Sequence, residues 1–362
     1  MIYAPLNIVI AGGGTGGHLF PAIAIAQEFL SRNPATHILF LITERPLEVS
    51  VLQTYGFDFQ KISAGGIKGR RLWRQAEAIV LLSRGIAQSA KVIKSFKPHL
   101  VIGMGSYLSV PVVLAAWLKR IPTVICEQNI LPGIANGFLA RIVNRVNVSF
   151  ENTFENLPET KVRFTGNPVR KEILQPISQS KDKNRPFTVL ILGGSQGAHG
   201  INMAVVEALE AFKENREIFF IHQTGEADES YVKSVYEKNQ IPCRVKAFFK
   251  DVGQVYQKAD LVICRAGATT VAELSALGKP AIFIPFPHAT DDHQSLNARK
   301  LCDNDASDMI HEKDLTGGYL SEKIFELAKN PSRLEKMARA AAMMGRADAA
   351  EKIVDDCYRV IK

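Results

Sequence analysis

The chain has 362 residues, enough for two domains of ordinary size, each with a core of its own. Hydrophobic residues make up 46% and charged residues 22%, which excludes a disordered or low-complexity chain and describes a globular one. The net charge of +8 sits in the first half: residues 1–165 carry 17 Lys and Arg against 9 Asp and Glu, while residues 166–362 carry 27 of each. A basic half points to an anionic partner, a membrane face or a nucleic acid, and no nucleic-acid-binding motif is found. Five scattered cysteines (Cys126, Cys243, Cys264, Cys302, Cys357) form no C-x-x-C pair and read as reduced thiols of a cytosolic protein without a metal cluster. The opening MIYAPLNIVIA has no basic leader and no cleavage pattern, so no signal peptide is expected.

In chain order, an apolar strand-type run, Ile8 to Ala11, feeds the glycine turn Gly12-Gly13-Gly14-Thr15-Gly16-Gly17 and then His18. Pro21 opens a helical pattern through Ala22, Ile23, Ile25, Ala26 and Phe29. Glycines let a ligand approach the backbone, and a helix N-terminus favours an anion. An imidazole at the mouth of such a loop suits proton transfer near neutral pH, although a helix-start histidine also serves to bond a loop carbonyl. Gly12, Gly14 and Gly17 satisfy G-x-G-x-x-G, so a nicotinamide or flavin site is the alternative, with Glu44 after the next strand, His37 to Thr43, as its ribose ligand. No G-K-[ST] follows, which excludes a Walker A loop.

Residues 61–97 hold nine basic residues and a single acidic one, Glu77. Lys68, Arg70, Arg71 and Arg74 interleave with Leu72 and Trp73, and Ile79, Val80, Leu81, Leu82 and Ile86 follow, with Arg84 among them. This mixture fits an interfacial membrane patch that Arg141, Arg145 and Trp117, beside Lys119 and Arg120, extend; the alternative is a solvated face. Leu100 to Leu118 is uncharged for 19 residues, but Gly103, Gly105, Ser106, Ser109 and Pro111 break it into a strand, a loop and a helix from about Pro111 rather than a membrane span. Thr123 to Cys126 is a further strand. Phe164 to Pro168 reads as the domain boundary and Ser178 to Pro186 as a surface loop.

The second half repeats the opening. Strand Thr188 to Leu192 runs into Gly193-Gly194-Ser195-Gln196-Gly197-Ala198 and a helix from about Ile201. Strands follow at Ile218 to Ile221, Leu261 to Cys264 and Ala281 to Ile284, with Arg265 to Thr270 leading into a helix that carries Glu273. Pro331 to Lys362 is helical and charged. Asp291-Asp292 lacks the further oxygen ligands of a hard-metal site. The expected fold is α/β: two Rossmann-like doubly wound domains facing across a cleft, with ligands at the carboxyl ends of the strands.

Read together, GGGTGGHLFPAIAIA, GMGSYLSVP, EQN (Glu127 to Asn129), GNPVR (Gly166 to Arg170), GGSQGA, CRAGATTVAE and PFPHATDDHQSLNA resemble, in this order over nearly the whole chain, the MurG family of bacterial N-acetylglucosaminyltransferases. The resemblance implies a GT-B fold with an acceptor and membrane-facing domain, residues 1–165, a UDP-sugar domain, residues 166–344, and a last helix, about 345–362, returning to the first domain. It implies inverting transfer of N-acetylglucosamine from its UDP conjugate to the 4-hydroxyl of muramic acid in undecaprenyl-pyrophosphoryl-muramyl-pentapeptide, at the cytoplasmic face of the inner membrane, without cofactor or metal. Donor contacts would fall at Thr15, Gly16, Gly17, Asn129, Arg170, Ser195, Phe249, Ala268, Thr269, Thr270, Val271, Ala272, Glu273 and Gln294. Glu273 would hold the ribose diol, Phe249 would offer backbone groups to uracil, Ser195 and Arg170 would face the diphosphate, and Gln294 with Asn297 would read the sugar. His18 is the candidate base and Glu127 the runner-up. The chain departs from the family pattern at Cys126, where many relatives carry histidine, and at Asp291-Asp292-His293, one residue longer than the shortest version.

Overall fold

Parallel strands covered on both faces need nearly continuous apolar runs, and the central strands of this protein supply them. The computed structural model describes residues 4–64, 72–175, 185–194, 197–215 and 217–361; over 72–79 it describes the backbone only. Two units separate: residues 1–170 with 346–362, and residues 171–345.

The first unit contains β1 (Asn7–Ala11), α1 (Gly16–Arg32), β2 (His37–Ile42), α2 (Pro46–Tyr55), β3 (Asp58–Lys61), α3 (Leu72–Phe96), β4 (Leu100–Gly103), α4 (Ser109–Leu118), β5 (Thr123–Glu127), α5 (Ile134–Leu139), β6 (Arg145–Val148) and β7 (Val162–Phe164). The seven strands are parallel in the order β3-β2-β1-β4-β5-β6-β7. The two-residue period of a strand divides β1 between two cores: Ile8 and Ile10 join Ile23 and Phe29 of α1, while Val9 and Ala11 join Val112 and Val113 of α4.

The second unit contains α6 (Lys171–Leu174), β8 (Phe187–Leu192), α7 (His199–Ala208), β9 (Ile218–Gln223), α8 (Glu229–Lys238), β10 (Cys243–Lys246), α9 (Val252–Lys258), β11 (Leu261–Cys264), α10 (Ala268–Ala276), β12 (Ala281–Phe283), α11 (His293–Cys302), β13 (Asp308–Met309), α12 (Gly317–Ala328) and α13 (Pro331–Met344). Its six parallel strands run β10-β9-β8-β11-β12-β13, the same winding as the first six of the first sheet. In both sheets the order reverses beside the first strand, the switch point where doubly wound folds bind ligands.

The helical C-terminal segment breaks at residues 345–348. Its last helix, α14 (Ala349–Ile361), belongs to the first unit, where Ile353, Val354 and Cys357 are buried beside Ile23 and the Tyr358 ring lies 5.8 Å from that of Phe29. Arg145 of β6 reaches buried Asp356 of this helix at 3.2 Å.

The units divide at Arg170, beyond the turn at 164–168. Val169 is buried, and Gly166 (φ +87°) lies so close to Arg346 that a Cβ would come within 2.4 Å of its side chain. This close approach holds GNPVR in the first unit. The first helix also differs from the expected one: α1 begins at Gly16, not Pro21, so His18 stands in its first turn. Residues 100–118 form β4, a glycine loop and α4, and no helix among the described residues is long and apolar enough to cross a membrane.

Candidate functional site

Each unit gathers candidate residues at the carboxyl ends of its central strands. In the first unit, β1, β4 and β5 are neighbours, which brings together the loops that follow them. After β1, Gly14 takes φ +103°, which a side chain tolerates poorly, and the chain turns into α1. His18 is half-buried, and its Nδ1 lies 3.1 Å from Oε1 of Gln128, which follows β5. Thr15 and Gly17 are exposed beside it and Gly16 is half-exposed. The bare glycine loop after β4 is pinned from below: Gly105 (φ +92°) packs against Asn136 of α5.

A carboxylate that sequence reading passed over supports the first glycine turn. Glu48, in the first turn of α2, is 2% exposed. It accepts the N–H of Gly14, the N–H of Thr43 at 2.8 Å, and the Thr43 hydroxyl at 2.8 Å from each oxygen. Arg45 donates to the Gly14 carbonyl. A dinucleotide pyrophosphate in this turn would want the Gly14 N–H that Glu48 already holds, and would meet its negative charge. The nicotinamide alternative therefore lacks its anion site, and Glu44 is left as an exposed residue after β2.

Glu127 ends β5, 3% exposed. One oxygen accepts the Asn129 N–H at 3.0 Å; the other accepts the Gly133 N–H at 3.0 Å and Asn136 Nδ2 at 2.9 Å. Its lone pairs are spent on shaping the loop from β5 to α5, which argues against the proton-acceptor role given to it as runner-up. Asn129 is thereby fixed at the mouth of the same loop. Arg170 also belongs to the first unit: its guanidinium covers the Phe20 ring at 4.0 Å and donates to the Tyr55 hydroxyl at 3.2 Å.

The second unit carries the remaining donor candidates. Ser195 lies outside the described residues, but the glycines around it are placed: Gly194 and Gly197 take φ +76° and +79°, and a Cβ on Gly197 would come within 2.4 Å of the Thr224 carbonyl. Gln223, the buried last residue of β9, links two candidate segments. Its Nε2 donates to the Gly194 carbonyl at 2.9 Å and its Oε1 accepts the Phe249 N–H at 3.0 Å. Phe249 is itself buried, its ring under the Arg244 guanidinium. Ala268, Thr269, Thr270, Val271 and Ala272 form the opening of α10, whose first-turn N–H groups point out of the helix end. Glu273 on α10 is 5% exposed and accepts the hydroxyl of buried Tyr256 at 2.9 Å, which removes the solvated-helix alternative. Gln294 accepts the Phe286 N–H at 3.0 Å, and buried Asn297 donates to the Ala266 carbonyl at 3.3 Å.

Of the basic stretch, Lys68, Arg70 and Arg71 lie outside the described residues, as do the side chains of Leu72, Trp73 and Arg74. Of the rest, Val80, Leu82 and Arg84 fall on α3 and Trp117 on α4, which pack on each other, and Lys119 and Arg120 follow α4 directly; Arg141 is exposed after α5, whereas Arg145 on β6 is turned to Asp356 and does not extend the patch. Val80, Arg84, Trp117, Leu118, Lys119 and Arg120 are exposed, and Leu82 is half-buried.

Comparison with known proteins supplies the family. Residues 8–148 match the glycosyltransferase family 28 N-terminal domain and residues 188–353 the family 28 C-terminal domain. A UDP-N-acetylglucosamine–N-acetylmuramyl-(pentapeptide) pyrophosphoryl-undecaprenol N-acetylglucosamine transferase of Trichlorobacter lovleyi is 43% identical, over 97% of each chain. Its namesake in Geotalea daltonii is 45% identical, again over 97% of each. The chain belongs to the MurG family of glycosyltransferases. The crystal structure of Acinetobacter baumannii MurG aligns over 98% of this chain and all of that one, with TM-score 0.78 and 29% identity. The fold extends beyond MurG: a Neisseria meningitidis UDP-GlcNAc 2-epimerase bound to UDP-GlcNAc aligns with TM-score 0.70 at 16% identity, covering 98% of this chain and 100% of its own. As a MurG-family enzyme of GT-B fold, the protein is a glycosyltransferase, and both doubly wound units match the fold expected of it.

Proposed function

We propose that this chain transfers N-acetylglucosamine from UDP-N-acetylglucosamine to the 4-hydroxyl of the muramic acid in undecaprenyl-pyrophosphoryl-N-acetylmuramyl-pentapeptide, an inverting step of peptidoglycan synthesis. The observation that carries this reading is the end-to-end similarity, at 41–45% identity, to transferases named for that reaction.

His18 takes the proton of the acceptor hydroxyl as that oxygen attacks the anomeric carbon. The bond to UDP breaks and the diphosphate gains charge. Backbone N–H groups at the opening of α10 lie in the second unit, and preorganised dipoles of that kind stabilise such a leaving group. Arg170 is the candidate cation for the diphosphate. Glu273 accepts from the ribose diol, Phe249 orders the segment facing the base, and Gln294 with Asn297 reads the sugar. The donor arrives already activated as a nucleotide ester, so this route calls for no cofactor, and the helix-end N–H groups and Arg170 take the place of a metal.

The acceptor's polyprenyl tail stays in the bilayer, so the enzyme meets it at the cytoplasmic face of the plasma membrane as a peripheral protein. Supporting this, exposed Val80 and Arg84 lie on α3, exposed Trp117 and Leu118 on α4, and exposed Lys119 and Arg120 directly after it, and the whole net positive charge lies in the first 165 residues. Each cation near an anionic leaflet contributes about 1 kcal/mol.

The deciding experiment incubates the purified chain with radiolabelled UDP-N-acetylglucosamine and a short-chain lipid-linked muramyl-pentapeptide. Acceptor-dependent release of UDP with a labelled disaccharide-lipid product is expected. UDP release without acceptor dependence, or transfer to a different glycolipid in preference, would overturn the reading.

A further inference from the structure

We infer that Gln128 is a positioning residue that fixes the tautomer of His18, holding the proton on Nδ1 and presenting Nε2 as the basic nitrogen. The inference deepens the proposed reaction and rests on His18 being its base. The chain of donors and acceptors has one direction. The Cys126 carbonyl can only accept. It lies 3.1 Å from one terminal atom of the Gln128 side chain and 3.0 Å from Asn136 Nδ2. The Gln128 atom facing it is therefore the amide nitrogen. The other terminal atom, Oε1, then faces His18 Nδ1 at 3.1 Å, and an amide oxygen has only lone pairs to offer. Nδ1 must carry the hydrogen. In a neutral imidazole Nε2 then has the lone pair.

The anchor is stiff. Gln128 is 2% exposed, Cys126 belongs to the buried strand β5, and Asn136 binds the Cys126 carbonyl and the Glu127 carboxylate together. The contact at 126 uses a backbone atom, so the side chain there does not enter it. The other end is stiff as well: His18 stands in the first turn of α1, with its N–H bonded to the Thr15 carbonyl at 3.1 Å. An amide suits this task better than a carboxylate. It orients the ring through an oxygen that only accepts, without placing a negative charge beside it.

The test uses the full chain with 15N-labelled histidine. Long-range proton–nitrogen spectra distinguish the two neutral tautomers, and His18→Asn identifies which of the eight histidines is His18. Wild type is expected to show His18 protonated at Nδ1. Gln128→Leu is expected to give a mixture of tautomers and a turnover lower by about tenfold to a hundredfold, with KM for UDP-N-acetylglucosamine unchanged. Gln128→Glu is expected to restore the Nδ1 tautomer and to move the acid limb of the kcat profile up by about one pH unit, as a carboxylate stabilises the imidazolium. An Nε2-protonated His18 in wild type, or a tautomer and acid limb that do not move in either variant, would overturn the inference. If Gln128→Leu fails to fold, the Gln128→Glu spectrum and acid limb decide it. The outcome of His18→Asn separates the two ideas: full turnover in that variant removes His18 as base, while the spectra still report whether Gln128 sets the tautomer.

Discussion

Replacing Glu48 by alanine tests whether the first glycine turn is held by a carboxylate rather than by its own sequence. The substitution removes the acceptor of two backbone donors, the N–H groups of Gly14 and Thr43, and of the Thr43 hydroxyl. The position is 2% exposed, so water does not simply replace the carboxylate. A buried donor left without a partner costs about 1–3 kcal/mol, and two such donors give a destabilisation of about 2–6 kcal/mol. In a cooperative unit of this size each kcal/mol lowers Tm by about 2–4 °C, so a drop of about 4–24 °C is expected in the transition of the first unit. Glu48→Gln keeps one acceptor oxygen but turns an amide N–H₂ toward a donor, and its loss should fall between wild type and alanine. The measurement is thermal unfolding followed by circular dichroism, with turnover measured alongside. Because the turn sets where α1 begins, and so where His18 stands, kcat should fall with Tm in both variants. An alanine variant with wild-type Tm and turnover, or a glutamine variant less stable than alanine, would refute the reasoning.

Glu273→Ala is expected to weaken UDP-sugar binding by about 1–3 kcal/mol, the cost of unpaired hydroxyl partners, while Tyr256→Phe, which removes only the phenol that bonds Glu273 at 2.9 Å, should cost less; calorimetric titration with UDP-N-acetylglucosamine checks both, and unaltered affinity in Glu273→Ala would leave Glu273 a buried structural residue. His222 is fully buried between Asn202, at 3.0 Å, and Tyr236, at 3.3 Å, and burial pushes its pKa down to about 3, partly opposed by nearby Asp228. The unfolded chain then takes up a proton that the folded one refuses, so stability present above pH 6.5 is lost as pH falls toward 3; between pH 7 and 4.5, wild type should lose about 2–3 kcal/mol more than His222→Gln in urea unfolding, and parallel losses would remove His222 as the cause. Binding to anionic vesicles should fall steeply between low and physiological salt, and reversing the charges of Arg70, Arg71 and Arg74 should abolish it without affecting transfer to a water-soluble acceptor analogue; equal binding to neutral vesicles would make the basic stretch a solvated face.

The sequence made the central strands plain because each is an apolar run buried on both faces: the run expected at Ile8 to Ala11 and that at Thr188 to Leu192 become β1 and β8 nearly end to end. The edge strands β3, β7 and β10 were not legible. Their residues, DFQK, VRF and CRVK, are short, charged and largely exposed, so nothing in their period separates them from loops. Pro21 reads as a helix start because proline favours the first turn; here it sits inside α1, which begins at Gly16 after the N-cap Thr15. Glycines and His18 could be read as a site because their chemistry is local. Glu48, Gln128 and Gln223 could not be ranked in the same way, since each matters through a partner distant in the chain: Glu48 through Gly14, Gln128 through His18, Gln223 through both Gly194 and Phe249.

The two glycine turns occupy the same topological position, after the first strand of sheets wound in one order, yet different residues hold them. Beneath the first stands a carboxylate that accepts the Gly14 N–H. Beside the second stands a neutral amide: Gln223 donates to the Gly194 carbonyl, and its backbone carbonyl accepts the Gly193 N–H at 3.1 Å. A unit charge about 5 Å from Glu48 would be repelled by roughly 3 kcal/mol at an effective dielectric of about 20, whereas Gln223 adds no such term. An anionic diphosphate therefore gains more at the second turn, even though the first is the better match to the dinucleotide fingerprint in sequence. The first turn, with a carboxylate behind it, leads into the opening of α1, where His18 stands. Exchanging the holding residues' charge, Glu48→Gln in one unit and Gln223→Glu in the other, should raise diphosphate affinity at the first turn and lower it at the second.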